Sequence, residues 1–363
     1  MNFGKDSKTA LQAKFDAQKI AFGPIMFQAA RSLQRMGILE IIKNQRNKGI
    51  LIADIAQRLK LPVYGVKVLL EAGLSMELVR VENDLFYLTK TGFFVLSDPL
   101  TQVNMNFVHD VNYEGFFSLE ESIKNGKPEG LKTFGNWDTV YEALSQLPAQ
   151  VQKSWFEFDH YYSDNAFPEI LPLLFKDEPK KLLDVGGNTG KWAIQCGKYN
   201  DKIEITILDL PGQLEKARES IEANNLSDRV KGIPINLLDH STPFPTGFDI
   251  VWMSQFLDCF SQKDILELLK RAKEAIHPDG SVYILETYWD KQKYEASTYS
   301  LHATSLYFTC LANGCSQMYH SEDMLSIIDK AGLFIDKEIH DIGVSHSLYI
   351  CKIKKSQCPD FEI

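Results

Sequence analysis

The stretch that decides the fold spans residues 181–190 and reads Lys-Leu-Leu-Asp-Val-Gly-Gly-Asn-Thr-Gly. An apolar run typical of a buried strand leads into a glycine-rich turn, and a helix is predicted to begin near Lys191. Glycines let the backbone approach a ligand closely, and a helix N-terminus offers unpaired N–H groups. Asn188 suits this turn because asparagine tolerates left-handed backbone angles. It also stands where the dinucleotide pattern GxGxxG needs its second glycine, so the motif predicts a different ligand.

Further strands are predicted after this motif, with room for a helix between several of them. The strand candidates are residues 181–185, 204–208, 230–235, 248–253 and 281–285, followed by 334–340 and 346–352, which are close enough to form a hairpin. Strands that alternate with helices indicate a parallel sheet with crossover helices. The C-terminal part is therefore predicted to be an α/β domain with a Rossmann-like sheet.

Asp209 ends the second strand of this predicted sheet, 23 residues after Gly186. A carboxylate in that place can accept hydrogen bonds from both hydroxyls of a ribose. The glycine turn and Asp209 together predict an adenosine-type ligand in a crevice at the strand ends.

The N-terminal part is predicted to be mostly helical. Helix is expected over residues 8–47, over the apolar face from Ile52 to Leu59, and from Pro62 onward, because proline suits a helix start. The β-prone runs 78–81 and 85–88 then predict a hairpin. Helix, helix and hairpin are typical of a winged-helix unit.

Charge and composition exclude several classes of protein. The 363 residues carry 39 Lys+Arg against 48 Asp+Glu, a net charge of −9, and 44% of them are hydrophobic. That balance excludes a mainly disordered chain and argues against whole-chain binding to nucleic acid. Within residues 40–90 eight Lys/Arg stand against six Asp/Glu, and the second helix of the winged-helix pattern has one cation, Lys67. The pattern is therefore expected to serve packing rather than recognition of DNA.

A membrane span, a secretion signal and a metal site are not predicted. No run of about 18 apolar residues occurs, and the N-terminus lacks an apolar signal core. No CxxC pair exists, so reduced thiols in a cytoplasmic protein are expected. The six cysteines are Cys196, Cys259, Cys310, Cys315, Cys351 and Cys358.

Taken in order, these motifs resemble the bacterial and plant-type small-molecule O-methyltransferases, which use S-adenosylmethionine. The resemblance covers about residues 15–353 and rests on the winged-helix pattern and on residues 183–190, 208–211, 248–251, 275–280, 282–286 and 331–334. It implies three regions: a dimerisation domain at 1–105, a helical linker at 106–170 that contributes to the substrate pocket, and a cofactor-binding domain at 171–363. A homodimer is also expected because the N-terminal helices expose more apolar surface than a small unit can bury alone. That surface is predicted to include Ile25, Met26, Phe27, Leu39, Ile41 and Ile42.

The resemblance also implies a cofactor site. The residues it assigns to the methionine, the ribose and the adenine are Gly186, Gly187, Asn188, Gly190, Ser163, Ser254 and Gln255, with Asp209 on the ribose diol and Leu210 against the adenine. Near Leu237, either Asn236 or Asp239 reaches the adenine amino group.

The catalytic segment departs from the family. The family's general base is a histidine in Leu-His-Asp-Trp, whereas this chain has Leu257-Asp258-Cys259-Phe260. Met318 lies near the place of one supporting acid, and the other is retained as Glu286. A buried carboxylate can act as the base if its pKa rises toward neutrality. Asp258 is the first candidate, His160 the second, and transfer without a protein base the third.

An aromatic acceptor is expected because aromatic side chains follow the last parallel strand and precede the α/β domain. The candidates for contact with it are Tyr161, Phe256, Trp289, Tyr307 and Phe308, with Tyr288 beside them. Methylation of a phenol-like oxygen is the leading expectation. C-methylation of a quinone precursor and a winged-helix regulator that senses the cofactor are the alternatives.

Overall fold

The chain divides into two units, Met1–His109 and Asp110–Ile363. The structure, a computed structural model, describes residues 4–354, and the predicted thiol of Cys358 lies outside them. Among the described residues, no helix is long and apolar enough to cross a membrane. The five cysteines in that range are all free thiols. The cytoplasmic location stays a prediction.

The N-terminal unit is mostly helical, as predicted. Its elements are α1 (Ala10–Ala21), α2 (Gly23–Arg35), α3 (Ile38–Gln45), α4 (Ile52–Leu59), α5 (Val63–Ser75), β1 (Val79–Glu82), β2 (Leu85–Leu88), α6 (Lys90–Ser97) and α7 (Pro99–Asn106). The predicted hairpin is confirmed, because β1 and β2 pair antiparallel around Asn83 and Asp84, both with positive φ. Pro62 precedes α5 as its N-cap rather than occupying its first turn.

The expectation about the apolar surface of this unit is partly wrong. Leu39 and Ile42 are fully buried in the unit's own core, because one face of α3 packs there. Exposed apolar side chains on α1 and around the start of α2 include Leu11, Phe15, Ile20, Phe22 and Ile25. No residue of α1 is buried in the described chain.

The C-terminal unit combines nine helices with seven strands in the described residues. The helices are α8 (Leu119–Asn125), α9 (Val140–Ala143), α10 (Ala149–Asp164), α11 (Phe167–Leu174), α12 (Lys191–Tyr199), α13 (Pro211–Ala223), α14 (Gln262–Ala275), α15 (Glu295–Tyr307) and α16 (Ser321–Lys330). The strands are β3 (Lys181–Val185), β4 (Glu204–Asp209), β5 (Val230–Pro234), β6 (Phe248–Ser254), β7 (Ile276–Glu286), β8 (Leu333–Ile342) and β9 (His346–Ile353).

All seven predicted strands are confirmed, and they form one sheet in the order β5-β4-β3-β6-β7-β9-β8. The first five strands in this order are parallel, and β9 pairs antiparallel with β7 and β8. The strand β7 begins earlier than predicted, at Ile276. Ile276 pairs with Phe248 of β6, and after a shift in register Ser281 pairs with Ile250. Chain order reverses between β3 and β6, which is where such sheets bind ligands.

Both faces of the sheet are covered. On β3, Leu182 joins one core cluster and Leu183 the other, because successive side chains of a strand point to opposite faces. On β6, Trp252 stacks on Trp192 of α12 with ring centroids 4.4 Å apart. This packing fixes the carboxyl ends of β3, β4 and β6 at one edge, which holds the glycine turn, Asp209 and the segment that follows Ser254.

Candidate active site

The glycine turn after β3 has the left-handed backbone that the sequence predicted. φ is +74° at Gly186, +50° at Asn188 and +76° at Gly190, which caps α12. A Cβ on Gly186 would lie 2.3 Å from the ring of Phe256, and one on Gly187 would lie 2.6 Å from Oδ2 of Asp184. Both positions therefore require glycine, and the turn presents its backbone closely to whatever it binds.

Asp209 lies across this turn at the end of β4. Its Oδ2 accepts a hydrogen bond from the backbone N–H of Asn188 at 2.8 Å, and its Oδ1 accepts one from Leu210 N–H at 2.7 Å. Burial raises the pKa of Asp209, and burial together with Asp209 raises the pKa of Asp184 to about 8. The site thus holds two desolvated carboxyl groups that a cation or hydroxyl donors can stabilise.

The loop after β5, which was predicted to contact the adenine, is held by a buried arginine. Arg271 of α14 donates to the carbonyl oxygens of Leu237, Asp239 and Thr242. The carboxylate of Asp239 accepts hydrogen bonds from the hydroxyls of Ser241 and Thr242 at 2.6 and 2.7 Å, which lowers its pKa. Asp239 therefore closes its own turn, and Oδ1 of Asn236 accepts a hydrogen bond from the backbone N–H of Leu238 at 3.0 Å. Both candidates for the adenine thus make local hydrogen bonds, and the choice between them stays open.

The segment after β6 turns sharply and is fixed by Glu286 of β7. Oε1 of Glu286 accepts hydrogen bonds from the backbone N–H groups of Phe256 and Leu257 at 3.0 and 2.7 Å. Gln255 has φ of +44°, and the phenyl ring of Phe256 lies against Gly186. Among residues 4–354, Oε2 of the buried Glu286 has no hydrogen-bond partner. Glu286 therefore positions the segment that carries Asp258.

Glu286→Gln should stabilise the protein at neutral pH. Burial and the neighbouring Asp258 raise the pKa of Glu286 well above its usual value, so the folded protein keeps a proton that the unfolded chain releases above about pH 4.3. Stability therefore falls as the pH rises from that value toward the folded pKa, and glutamine removes this loss. We expect the variant to gain about 1 kcal/mol in unfolding free energy at pH 7 and nothing at pH 4, measured by urea denaturation. A constant difference across this range would show that Glu286 stays ionised.

Asp258 lies in the short turn Leu257–Cys259 and is 5% exposed. Its Oδ1 accepts a hydrogen bond from Sγ of Cys259 at 3.4 Å. Burial raises the pKa of Asp258 to about 6, in the direction that the sequence predicted. Burial and repulsion from Asp258 raise the pKa of Glu286. The N-cap of α14 is Ser261, so Asp258 does not serve as the cap of that helix.

The helix α10 carries His160, Tyr161 and Ser163, and it approaches the glycine turn through Asp159, whose Oδ2 is 3.5 Å from Nδ2 of Asn188. The His160 ring stacks on Phe156 with centroids 5.8 Å apart, and Nδ1 lies 3.8 Å from the carboxylate of Asp164. Burial lowers the pKa of His160. The hydroxyl of Ser163 donates to Asp164 at 3.2 Å. A neutral imidazole beside carboxylates keeps His160 available as a base.

The predicted aromatic residues divide into two groups. Nε1 of Trp155 donates to the hydroxyl of Tyr307 at 2.6 Å, and Tyr307 and Phe308 pack together. Asp258 is among the groups that raise the pKa of Tyr307, which places this tyrosine near the candidate base. In contrast, Trp289 packs against His302 and His320, and Tyr288 stacks on Tyr349 in the core.

Two residues near Asp258, Asp159 and Tyr141, were missed by the sequence analysis. Asp159 of α10 lies within electrostatic reach of Asp258, and burial and Asp258 raise its pKa to about 7. Burial and the nearby thiol of Cys259 raise the pKa of Tyr141. These residues carry no motif of their own, because packing of helices against the strand edge brings them together.

The residues at the carboxyl ends of β3, β4 and β6 fit the cofactor that the sequence resemblance implies. Among the described residues, the buried amide oxygens of Asn188 and Gln255 have no hydrogen-bond partner, so they can accept hydrogen bonds from ammonium or hydroxyl groups. Gly186 and Gly187 supply a cradle that any side chain would fill. Asp209 supplies the carboxylate that a ribose diol requires.

Comparison with protein families gives two matches. The description "O-methyltransferase domain" applies to residues 117–333, and the description "Dimerisation2-like domain" applies to residues 14–86. The first match spans more than half of the chain.

Known relatives and structures agree with these matches. L-tyrosine C(3)-methyltransferase of Streptomyces lavendulae is 25% identical over 272 residues, which cover 74% of this chain and 73% of that enzyme. The solved S-adenosylmethionine-dependent methyltransferase SibL has a TM-score of 0.72 at 22% identity and covers 93% of this chain and 98% of its own. An O-methyltransferase from neocarzinostatin biosynthesis, solved with S-adenosylmethionine and 2-hydroxy-5-methyl naphthoic acid, has a TM-score of 0.65 at 18% identity, with 90% and 95% coverage.

Proposed function

Because this chain belongs to the O-methyltransferase domain family and takes its methyl group from S-adenosylmethionine, we propose that it methylates the oxygen of a hydroxylated aromatic ring. The observation that carries the proposal is Asp258, a carboxylate that is 5% exposed and whose pKa is raised to about 6. A phenol with a pKa near 10 needs such a base at neutral pH.

The protein's part in the reaction is to orient the acceptor and to take one proton. When bound, the cofactor would supply a methyl group attached to a sulfonium, and the leaving group would be a neutral thioether. Asp258 accepts the proton of the acceptor hydroxyl, and the oxygen forms its new bond to the methyl carbon as the carbon–sulfur bond breaks. Glu286 holds the segment of Asp258 in place through two backbone hydrogen bonds, and such alignment supplies much of the rate in an in-line displacement.

A ring-carbon acceptor is the second candidate. The family's histidine base is replaced by Asp258, and the relative that methylates carbon 3 of L-tyrosine covers 74% of this chain. A quinone precursor would also accept a methyl on carbon without the histidine. The two candidates share the cofactor and differ in the bond that forms.

A labelled-methyl assay tests both candidates. Purified protein is incubated with ¹³C-methyl S-adenosylmethionine and matched aromatic compounds with and without a ring hydroxyl, and carbon NMR of the product shows whether the methyl is bonded to oxygen or carbon. Label on oxygen, only with hydroxylated compounds, supports the leading proposal. Label on carbon supports the second candidate, and transfer to compounds without a hydroxyl contradicts the role of Asp258.

We also propose that the chain forms a homodimer through α1 and the start of α2. Ile20 is 80% and Ile25 67% exposed, and no residue of α1 is buried in the described chain. A 12-residue helix is marginally stable alone in water, so its apolar side chains need a partner surface. The match to a dimerisation-like domain over residues 14–86 makes a second copy of this chain the best occupant.

The double variant Phe15→Lys/Ile25→Lys should be monomeric. Each lysine would bury a charge without a partner in the interface, and this cost would make dimer formation unfavourable. Light scattering should give a molar mass of twice 41.3 kDa for the wild type and of 41.3 kDa for the variant. Tyr64→Lys, at another exposed apolar residue of the same unit, is the control and should stay dimeric. A monomeric wild type at micromolar concentration would contradict the proposal.

A further inference from the structure

Asp159 lies beside the glycine turn and within electrostatic reach of the candidate base. Its Oδ2 is 3.5 Å from Nδ2 of Asn188 in the turn, and Asp258 contributes to its electrostatic surroundings. The side chain is half-buried, with 29% of it exposed, so part of the carboxylate is accessible to a ligand. A carboxylate in this position has no role in the mechanism derived above.

The reaction geometry identifies what this carboxylate faces. The glycine turn would hold the methionine side of the cofactor, and the proposed acceptor atom lies beside Asp258. In an in-line transfer the methyl group points from the sulfur to the acceptor atom. Asp159 is next to Asn188 of the turn and within electrostatic reach of Asp258, so its carboxylate would face the sulfonium.

We propose that Asp159 is the counter-ion of the cofactor's sulfonium and that it makes the protein select S-adenosylmethionine over S-adenosylhomocysteine. The product of methyl transfer is a neutral thioether, so the attraction between opposite charges exists before the reaction and disappears after it. This inference rests on the cofactor of the family and on the proposed position of the acceptor beside Asp258. Its consequence is weaker binding of the product.

The surroundings of Asp159 set the pH range of this effect. Burial, Asp258 and Asp164 raise the pKa of Asp159 to about 7, and Lys191 opposes this increase. His160, the remaining neighbour, has a lowered pKa and is mostly neutral at pH 7. A sulfonium favours the ionised carboxylate, so binding should lower the pKa of Asp159 and release its proton near pH 7. Selectivity should therefore decline as the pH falls below about 7.

Asp159→Asn tests the proposal through binding alone. Calorimetry is performed with S-adenosylmethionine, S-adenosylhomocysteine and sinefungin, which carries an amine in place of the methylated sulfur. We expect the variant to bind the two cationic ligands about tenfold more weakly, while its affinity for S-adenosylhomocysteine changes little. Glu157→Gln is the matched control, because Glu157 is an exposed carboxylate of the same helix, paired with Lys153, and its loss should leave all three affinities unchanged.

Proton release gives a second, independent readout. Titrations at pH 7 in two buffers of different ionisation enthalpy should show a fraction of a proton released by wild-type protein with S-adenosylmethionine, and less with the asparagine variant. Equal weakening of all three ligands would overturn the proposal and indicate a structural role. An unchanged ratio of affinities with a loss of turnover would also overturn it, and would assign Asp159 to the acceptor.

Discussion

Replacing Asp258 by asparagine should lower the rate of methyl transfer to the true acceptor by about 10² to 10⁴ and leave the affinity for S-adenosylmethionine unchanged. Asparagine keeps the shape and the hydrogen-bonding reach of the side chain but cannot accept a proton from a hydroxyl. The backbone of the segment stays in place because the carboxylate of Glu286 accepts the N–H groups of Phe256 and Leu257. Turnover and calorimetric binding, measured on the same preparation, separate the two effects.

The pH dependence provides a further check on the same residue. Burial raises the pKa of Asp258 to about 6, so kcat/KM of the wild type should fall as the pH drops through that value and the carboxylate becomes protonated. The asparagine variant should lack this limb. Asp264→Asn removes a nearby carboxylate that serves the start of α14 and should keep both the limb and most of the turnover. A fully active Asp258→Asn variant would contradict this role of Asp258. The remaining explanations would be His160 as the base, a phenol that is already ionised, or a carbon acceptor.

Replacing Asp209 by alanine should weaken the binding of S-adenosylmethionine by about 1.5–3 kcal/mol, or roughly 10- to 150-fold in Kd. The lost interaction is a pair of charge-assisted hydrogen bonds to the ribose hydroxyls. Alanine also frees the backbone N–H groups of Asn188 and Leu210, which Asp209 caps in this structure. Part of the loss therefore comes from a less ordered turn.

Two further variants distinguish these contributions. Asp209→Asn keeps one oxygen acceptor for the turn and removes the charge. Compared with Asp209→Ala, it should therefore recover more of the stability of the protein than of its affinity for the cofactor. Asp201→Ala, at an exposed aspartate in the connection before β4, should change neither. Calorimetry gives the affinity and thermal melting the stability. Full affinity in Asp209→Ala would place the ribose elsewhere.

The sheet could be predicted from sequence because its signals are local. Each of the seven strands is an apolar or β-prone run of ordinary length, and five of them are spaced for crossover helices. The glycine turn was predictable for the same reason, since the positive φ at Gly186, Asn188 and Gly190 is a property of those residues themselves. Asp209 followed from its place at a strand end.

The N-terminal surface could not be predicted in detail. The sequence shows that Ile25, Leu39 and Ile42 are apolar and helical, yet Ile25 is exposed while the other two are in the core. The difference depends on which side of each helix packs against its neighbours, and local patterns gave no distinction between these residues.

The sequence by itself determined the parallel sheet and the glycine turn with Asp209 at the neighbouring strand end, and it predicted Asp258 at the position of the family's histidine. Only the tertiary structure decided the electrostatics of the site. Asp159 is 99 residues from Asp258 along the chain, and Glu286 reaches the backbone of Phe256 from a neighbouring strand. Packing brings these acids together and excludes water, and the resulting desolvation and mutual repulsion raise their pKa values. Such shifts arise from three-dimensional proximity, which a one-dimensional pattern does not contain.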